Sequence, residues 1–312
     1  MINSSHKTVL ITGAAGNLAG LLIKKIISEN FYRVIAVDTR PINLDCEHYQ
    51  LDLRRKSALE ILKQKKPNII IHLGVARNPH KHWQKRENIY FFNLDTTSQL
   101  LNLAKEVNCE KLIFVSSANM YGPSYATCGF LTEDAPLQGA SKAPEFRDLV
   151  TIDMMMQSFF WKQPSTKTII FRPCHIVGKH LQNAPTRYLS LETIPYILGF
   201  DPIMQLMHEK DMLKALMLAL NSQAWGIFNL AGKDTAPLSM ILQALNRKTI
   251  GLPQTLLKAL MTTTFFSKKS SFPASELEHL KYSCLVDTTR ACEILGFKPQ
   301  HGIASIVKNI SF

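Results

Sequence analysis

Short apolar, β-branched runs alternate with longer stretches of helical periodicity through the first two-thirds of the chain. Residues 8–12 (TVLIT), 33–38 (RVIAVD), 48–52, 68–73 (NIIIHL), 111–115 (KLIFV), 168–172 (TIIFR) and 226–230 (GIFNL) carry the strand pattern. Residues 16–29, 55–65, 93–107 and 146–162 carry the helical one; in 93–107, Leu94, Leu100, Leu101 and Ala104 fall on one side. Strands separated by helices predict an α/β fold with a parallel, doubly wound sheet, and right-handed crossovers place helices on both faces. Beyond residue 173 the rhythm loosens into loops with Pro185, Pro195 and Pro202, then helices near 211–220, 237–245 and 254–266. In the tail DTTRACEILGF, Asp287 and Gly296 are the expected N-cap and C-cap of a late helix. The expected division is a main domain over 1–172, rejoined by the strand at 226–231, and a smaller lid over most of 173–312.

The first strand runs directly into Gly13-Ala14-Ala15-Gly16-Asn17-Leu18-Ala19-Gly20 and then a helix. In that context a glycine motif points to dinucleotide binding. Gly13 permits the tight turn, Gly16 lets backbone N–H groups approach a pyrophosphate, and the helix N-terminus adds its partial positive charge. Ala19 is small enough for the helix to sit on the strand. Asp38 ends the second strand, where a carboxylate accepts hydrogen bonds from the adenosine ribose hydroxyls and repels a 2′-phosphate. That favours NAD over NADP, while Arg40, two residues on, is a residue type that serves NADP.

Composition narrows the class. No apolar run reaches membrane-spanning length; the best, residues 212–220, is short and contains Lys214. The opening residues run straight into the first strand, unlike a secretory signal. The six cysteines are scattered without a CxxC pair and read as reduced thiols of a cytosolic protein. His80-Lys81-His82 reads as a solvated loop, and no metal site is expected. The 36 basic against 24 acidic residues, net +12, suit an anionic small molecule. No nucleic-acid-binding signature accompanies the excess.

Other stretches extend the pattern. They are G-x-x-G-x-x-A from Gly13, Asp52-Leu53 after the third strand, and IIIHLGVA with His72, Leu73, Gly74 and Val75. Asn93 follows on its helix, then LIFVSSANMYG, FRPCHIVG, GIFNLAG and DTTRACEILGFKP. Together, along nearly the whole chain, they resemble the extended short-chain dehydrogenase/reductases of the NAD-dependent epimerase/dehydratase group. The resemblance implies a Rossmann NAD-binding domain with a substrate-binding lid. It implies cofactor contacts at Gly13, Ala15, Gly16, Asn17, Leu18, Asp38, Thr39, Asp52, Leu53, Leu73, Gly74, Val75, Asn93, Val115, Ser116, Lys142 and Pro173. It also puts Ser117 at the catalytic serine or threonine.

The catalytic Tyr–Lys pair of that family has no full counterpart. PLQGASKAPE resembles the family's "PYGASKAAAE", which makes Lys142 the lysine and leaves Gln138 in the tyrosine's place. Counting back from Arg172-Pro173 through a helix of ordinary family length puts Glu145 and Leu149 there instead. An amide is no general acid near neutral pH. Substitutes within reach are His175, which stands where the family has asparagine and would titrate near neutrality, and Tyr121. Asp211 in QLMHEKD reads as a helix-start carboxylate.

The leading expectation is hydride transfer at an alcohol or keto carbon, as in a nucleotide-sugar epimerase or dehydratase; a sterol- or isoprenoid-type dehydrogenase is an alternative. A rival of another class is a non-catalytic NAD-binding sensor or interaction protein, which the missing tyrosine favours. Met154, Met155, Met156, Phe159, Phe160 and Trp161 supply apolar surface for a homodimer through helices 93–107 and 146–162. Leu256, Leu257, Leu260, Met261, Phe265 and Phe266, flanked by basic residues, read as lid packing before membrane contact.

Overall fold

The computed structural model describes residues 6–76, 86–125, 129–142, 146–259 and 274–310. Glu145, the His80–His82 pair and the 260–266 part of the expected lid helix lie outside the described residues, as does the side chain of Lys142. The chain divides into two compact units. One comprises Met1–Ser116, Thr151–Phe171 and Ala215–Ile227, the other Ser117–Val150, Arg172–Lys214 and Phe228–Phe312.

The first unit is built on β1 (Lys7–Thr12), α1 (Asn17–Glu29), β2 (Tyr32–Asp38), β3 (Glu47–Gln50), α2 (Lys56–Gln64), β4 (Ile69–His72), α3 (Arg86–Glu106) and β5 (Lys111–Val115). These strands belong to a seven-stranded sheet that also takes in Lys167–Pro173 and Gly226–Leu230. Val9, Leu10 and Ile11 of β1, Ile70 and Ile71 of β4, and Leu112, Ile113 and Phe114 of β5 have no exposed surface. Such continuous apolar runs are what a sheet covered on both faces requires. Each fully buried side chain of this kind contributes roughly 1.5–3 kcal/mol. β1 pairs in parallel with β2 on one side and β4 on the other, Ile11 lying opposite Ala36 and Ile71. The strand order therefore reverses at β1, with β2 and β3 to one side and β4 and β5 to the other. The crevice at the carboxyl ends of β1 and β4 is the topological switch point where such sheets take ligands.

The buried Lys111 at the start of β5 donates from Nζ to the carbonyls of Ala219, Leu220 and Ser222, at 2.7, 2.9 and 2.6 Å. It thereby caps the C-terminal end of the helix Glu209–Asn221, where unpaired carbonyls and the helix dipole both favour a cation.

The second unit contains β6 (Phe130–Leu131), α4 (Gly139–Lys142) and the first turn of α5 (Arg147–Lys162), then the end of β7 (Lys167–Pro173). It continues with β8 (His175–Val177), α6 (Ala184–Leu189), β9 (Thr193–Ile197), β10 (Ile203–His208) and the start of α7 (Glu209–Asn221). The end of β11 (Gly226–Leu230), β12 (Thr235–Pro237), α8 (Leu238–Ala244), β13 (Lys248–Leu252) and β14 (Leu285–Val286) follow. Helices Thr289–Leu295 and Ile303–Ile310 close the chain. Much of what reads as loops in the sequence is thus β-structure: β10 sits between β8 and β12, β13 pairs with β9, and β14 with β6. These strands are two to six residues long, too short for an alternating pattern to stand out. Leu206, Ile241, Leu242, Ile306, Val307 and Ile310 form their shared core.

Two end signals differ in detail from expectation. Thr288, not Asp287, is the N-cap of the helix Thr289–Leu295, and Asp287 accepts the Thr289 N–H at 2.7 Å from one position earlier. Gly296 closes that helix in the left-handed region, φ 70°. Asp211 stands in the first turn of α7 but does more than start a helix. Fully buried, it accepts the backbone N–H groups of Gln300 and His301 at 3.1 and 3.0 Å and so anchors the segment before the last helix.

Candidate functional site

At the switch point, Gly13 adopts φ +72°, and a Cβ on it would lie 2.6 Å from the Gly74 Cα and the Leu73 carbonyl oxygen. Both conditions require glycine, because neither clashing partner is a flexible side chain. The loop after β4, carrying Leu73, Gly74 and Val75, thus rests directly against the loop after β1. Gly16 is the N-cap of the 13-residue α1, its N–H bonded to the Gly13 carbonyl at 2.9 Å. Asn17 is exposed and Ala15 and Leu18 are half-buried beside it, so the mouth of the loop is open to a ligand. Gly20 is different: a Cβ there meets nothing within 4 Å.

Asp38 closes β2 beside this loop. Its carboxylate accepts the Ala15 N–H at 3.1 Å and the Arg40 N–H at 2.9 Å. The Arg40 guanidinium binds both carboxylate oxygens at 3.0 and 3.1 Å. The Asp38 side chain is 6% exposed and that of Arg40 56%. Thr39, between them, is exposed. Asp52 is held in the same way by Arg54, whose hydrogen bonds pull its pKa below the usual carboxylate range, and Leu53 is buried.

At the carboxyl end of the central strand β4, buried His72 bonds Thr12 through Nδ1 at 2.7 Å and Thr97 through Nε2 at 3.2 Å, and burial pushes its pKa down to about 4. Asn93, 1% exposed, binds Ala76 at both its N–H and its carbonyl, 2.8 and 2.9 Å. The resemblance gives Asn93 a cofactor contact; the geometry gives it a bracing role on the loop after β4. Val115 and Ser116 are buried at the end of β5, the Ser116 N–H bonded to the Phe171 carbonyl at 2.7 Å.

In the second unit, Ser117 is the N-cap of a short 3-10 turn, Ala118–Tyr121, its Oγ accepting the Asn119 N–H at 3.2 Å. Gly122 and Gly139 allow backbone to close on backbone here: a Cβ on Gly139 would lie 2.7 Å from the Asn119 carbonyl oxygen. Tyr121 is not available as a substitute acid. It is 1% exposed, donates its hydroxyl to Asn229 Oδ1 at 2.7 Å and accepts from the Arg172 guanidinium at 3.0 Å. Desolvation raises its pKa against the opposing pull of Arg172. Gln138 is exposed, and its carbonyl accepts from Ser141. Pro173 is buried where β7 ends.

His175 opens β8 and lines a pocket with Asn119, Gln205, His279, Cys174 and Cys284. Burial drives its pKa down to about 4, so it does not titrate near neutrality as its type alone suggests. Both thiols are pushed up to about 12 by burial and stay protonated. No local pattern marks Asn119, Gln205, His279 and Cys284 in the sequence, because they come from the turn after β5, β10, a 3-10 helix and the segment before β14.

The sequence profile of the NAD-dependent epimerase/dehydratase family matches residues 9–231. The chain belongs to that family. It is similar to an uncharacterized protein of Mycobacterium tuberculosis, 23% identical over 303 residues, covering 94% of this chain and 80% of the relative. It is also similar to UDP-glucose 4-epimerase 1 of Oryza sativa, 28% identical over 210 residues, covering 61% of this chain and 56% of the plant enzyme. Its fold matches that of MoeE5 in complex with UDP-glucuronic acid and NAD, with a TM-score of 0.75 at 18% identity and 97% of each chain covered. It likewise matches UDP-glucose 4-epimerase from Bifidobacterium longum in complex with NAD+ and UDP, with a TM-score of 0.74 at 20% identity, covering 98% of this chain and 97% of that one.

The cofactor of this epimerase/dehydratase family is NAD, and the loop at the switch point suits it. Gly13 lets the turn close against Gly74, Gly16 caps α1, whose N-terminus suits a pyrophosphate, and the Asp38 carboxylate ends β2 beside them. Among the described residues no helix is long and apolar enough to cross a membrane.

Proposed function

We propose that this chain is an NAD-dependent enzyme acting by hydride transfer at an alcohol or keto carbon of a nucleotide-linked sugar. The observation that carries the reading is the Gly13 turn closed against Gly74, with the Asp38 carboxylate at the end of β2. The UDP-glucuronic acid and the UDP bound in the two structural neighbours, and this chain's net charge of +12, support a nucleotide diphosphate as the substrate's anionic part.

In this reading Gly13, Ala15, Gly16 and Leu18 hold the pyrophosphate, and Asp38 accepts the ribose hydroxyls. NAD, when bound, supplies the hydride acceptor for the carbinol C–H. The chain's own task is to orient the reacting hydroxyl and to take its proton. Ser117 Oγ is the donor and acceptor we assign to that hydroxyl, with His175 as the proton's first stop. His175 is neutral at pH 7 and therefore offers a lone pair, but with a pKa near 4 it is a weak base. A slow enzyme follows from that weakness. A homodimer through α3 and α5 belongs to the same proposal: Phe91, Met154 and Trp161 are 59%, 59% and 76% exposed.

One observation favours a second reading, a sensor that binds NAD and a nucleotide sugar without turnover. Tyr121 is locked in a buried network and Gln138 faces outward, so neither replaces the family's acid. A panel of UDP- and dTDP-linked sugars incubated with the NAD-loaded protein and followed by NMR separates the two. Interconversion or dehydration of one member is the expected result. A panel left unchanged, with NAD and a sugar nucleotide both bound, supports the sensor.

A further inference from the structure

Parallel strands all start at one end of their sheet, so the turns leading into β1, β2, β4, β5 and β7 gather at the amino end of the first unit, opposite the crevice that suits the cofactor. The connection from α7 to β11 crosses this end. Asn221 accepts the Tyr32 hydroxyl at the head of β2, and the Ser222 carbonyl accepts from Lys111 at the head of β5. Gln223 then accepts from Lys167 at the head of β7, and Trp225 lies against Phe160 of α5, ring centroids 5.3 Å apart.

Two large rings stand out from this end into water. Phe31, next to Tyr32, is 68% exposed, and Trp225 is 56% exposed. Trp161, which also meets Phe160, belongs to the α5 face of the proposed dimer. β2 stands five places from β11 in the sheet, roughly 24 Å at about 4.8 Å per strand, so the two rings are spread over a broad face.

The charge at this end is one-sided. Glu29, Glu47, Glu106 and Glu110 are each ion-paired with a lysine or arginine. Among the described residues Lys66, Lys105, Lys162 and Lys167 have no such carboxylate partner, and Asp45 is set against them. The crowding is felt inside the fold: burial first, then Lys167 and Lys7, push the Lys111 amine down to about 8. Helix C-termini bring partial negative charge here, and Lys111 is spent on that of α7. The outer lysines are what a partner meets. Widely spaced aromatic rings among lysines match a lipid interface, where rings enter the headgroup layer and lysines meet anionic headgroups.

We propose that the amino end of the sheet docks on an anionic lipid surface, with Phe31 and Trp225 seated among the headgroups and Lys66 and Lys167 against the lipid charge. The cofactor crevice, at the other end of the strands, stays open to solution. The inference is independent of the reaction assigned above.

The test is co-sedimentation of the NAD-loaded full chain with vesicles of phosphatidylcholine alone and with vesicles of phosphatidylcholine and phosphatidylglycerol in equal parts. Partitioning at least tenfold stronger onto the anionic vesicles is expected, falling steeply in about 1 M salt, where the screening length drops to about 3 Å. Phe31→Ser combined with Trp225→Ser is expected to weaken it at least tenfold, and Lys66→Glu combined with Lys167→Glu likewise. Unchanged NAD affinity in both double variants reports an intact fold. Ile294→Ser, which removes a 57% exposed apolar side chain from the second unit, is expected to leave partitioning unchanged. Equal partitioning onto both vesicle types, none onto either, or wild-type partitioning by the double ring variant overturns the inference. Single-stranded DNA that binds as tightly as the anionic vesicles and displaces them overturns it too, since the face would then be a general anion-binding surface.

Discussion

Asp38 and Arg40 are joined by two side-chain contacts, Nε to Oδ1 at 3.0 Å and a terminal guanidinium nitrogen to Oδ2 at 3.1 Å. The arginine that could welcome a 2′-phosphate is therefore paired with the carboxylate that repels one. NAD is expected to bind at least tenfold tighter than NADP. Asp38→Ser should release Arg40 and narrow that ratio by tenfold or more, and adding Arg40→Ala should reverse the gain. Calorimetry with both cofactors checks this; a wild-type preference for NADP contradicts the role given to Asp38.

Gly13→Ala tests the turn itself. The new methyl would stand 2.6 Å from backbone atoms of Leu73 and Gly74 in a backbone conformation unfavourable to alanine. A loss of about 1–3 kcal/mol in stability is expected, with NAD binding strongly weakened. Gly20→Ala meets open space and helix propensity favours it, so it should leave NAD binding intact. Equal effects of the two substitutions would show that the Gly13–Gly74 contact is not what shapes the site.

Tyr121 separates architecture from chemistry. Tyr121→Phe removes the hydroxyl between Asn229 and Arg172 and leaves buried groups short of a partner, costing roughly 1–3 kcal/mol. Thermal unfolding should register that loss, while turnover per folded molecule stays within a few-fold of wild type. Turnover abolished in a variant of unchanged stability would restore Tyr121 as the acid.

Much of the first unit is legible in the sequence because its signals are local. Strands such as 33–38 and 111–115 carry uninterrupted apolar runs at 34–37 and 112–115, and Gly13, Gly16 and Asp38 follow the chain at fixed offsets from strand ends. Asp38's partner was visible only as an ambiguity, since spacing does not tell whether Arg40 turns toward the carboxylate or away from it. The second unit is less legible. Its short strands pair across long separations, as Leu206 does with His175. Tyr121 reads as a substitute acid or a turn residue until Arg172 and Asn229 close on it, and His175 as a near-neutral titrating group or a pocket histidine until burial is counted.

Burial also sets a pH window. His72 and His175 have pKa values pushed from 6.5 to about 4, and burial lowers that of His279 as well. The unfolded chain takes up these protons first, so the neutral histidines favour the fold fully above pH 6.5 and lose that effect as pH falls through 4. The melting temperature should be nearly flat just above pH 6.5 and fall steadily toward pH 4, with a shallower fall in His72→Gln. Turnover should show no inflection near 6.5 from His175. An inflection there that His175→Asn removes would mean that the imidazole is solvated and titrates freely.

The most direct test of the account is whether the carbinol hydrogen of a bound nucleotide sugar reaches the nicotinamide. NAD-loaded protein is mixed with the sugar nucleotide that binds most tightly, carrying deuterium at the hydroxyl-bearing carbon, and the absorbance of reduced nicotinamide and the fate of the label are followed. The account predicts slow appearance of that absorbance, or of an inverted or dehydrated product, with a primary isotope effect. Both ligands bound, the absorbance silent and every label still in its original configuration would contradict it, leaving a protein that binds NAD and its partner sugar without transferring a hydride.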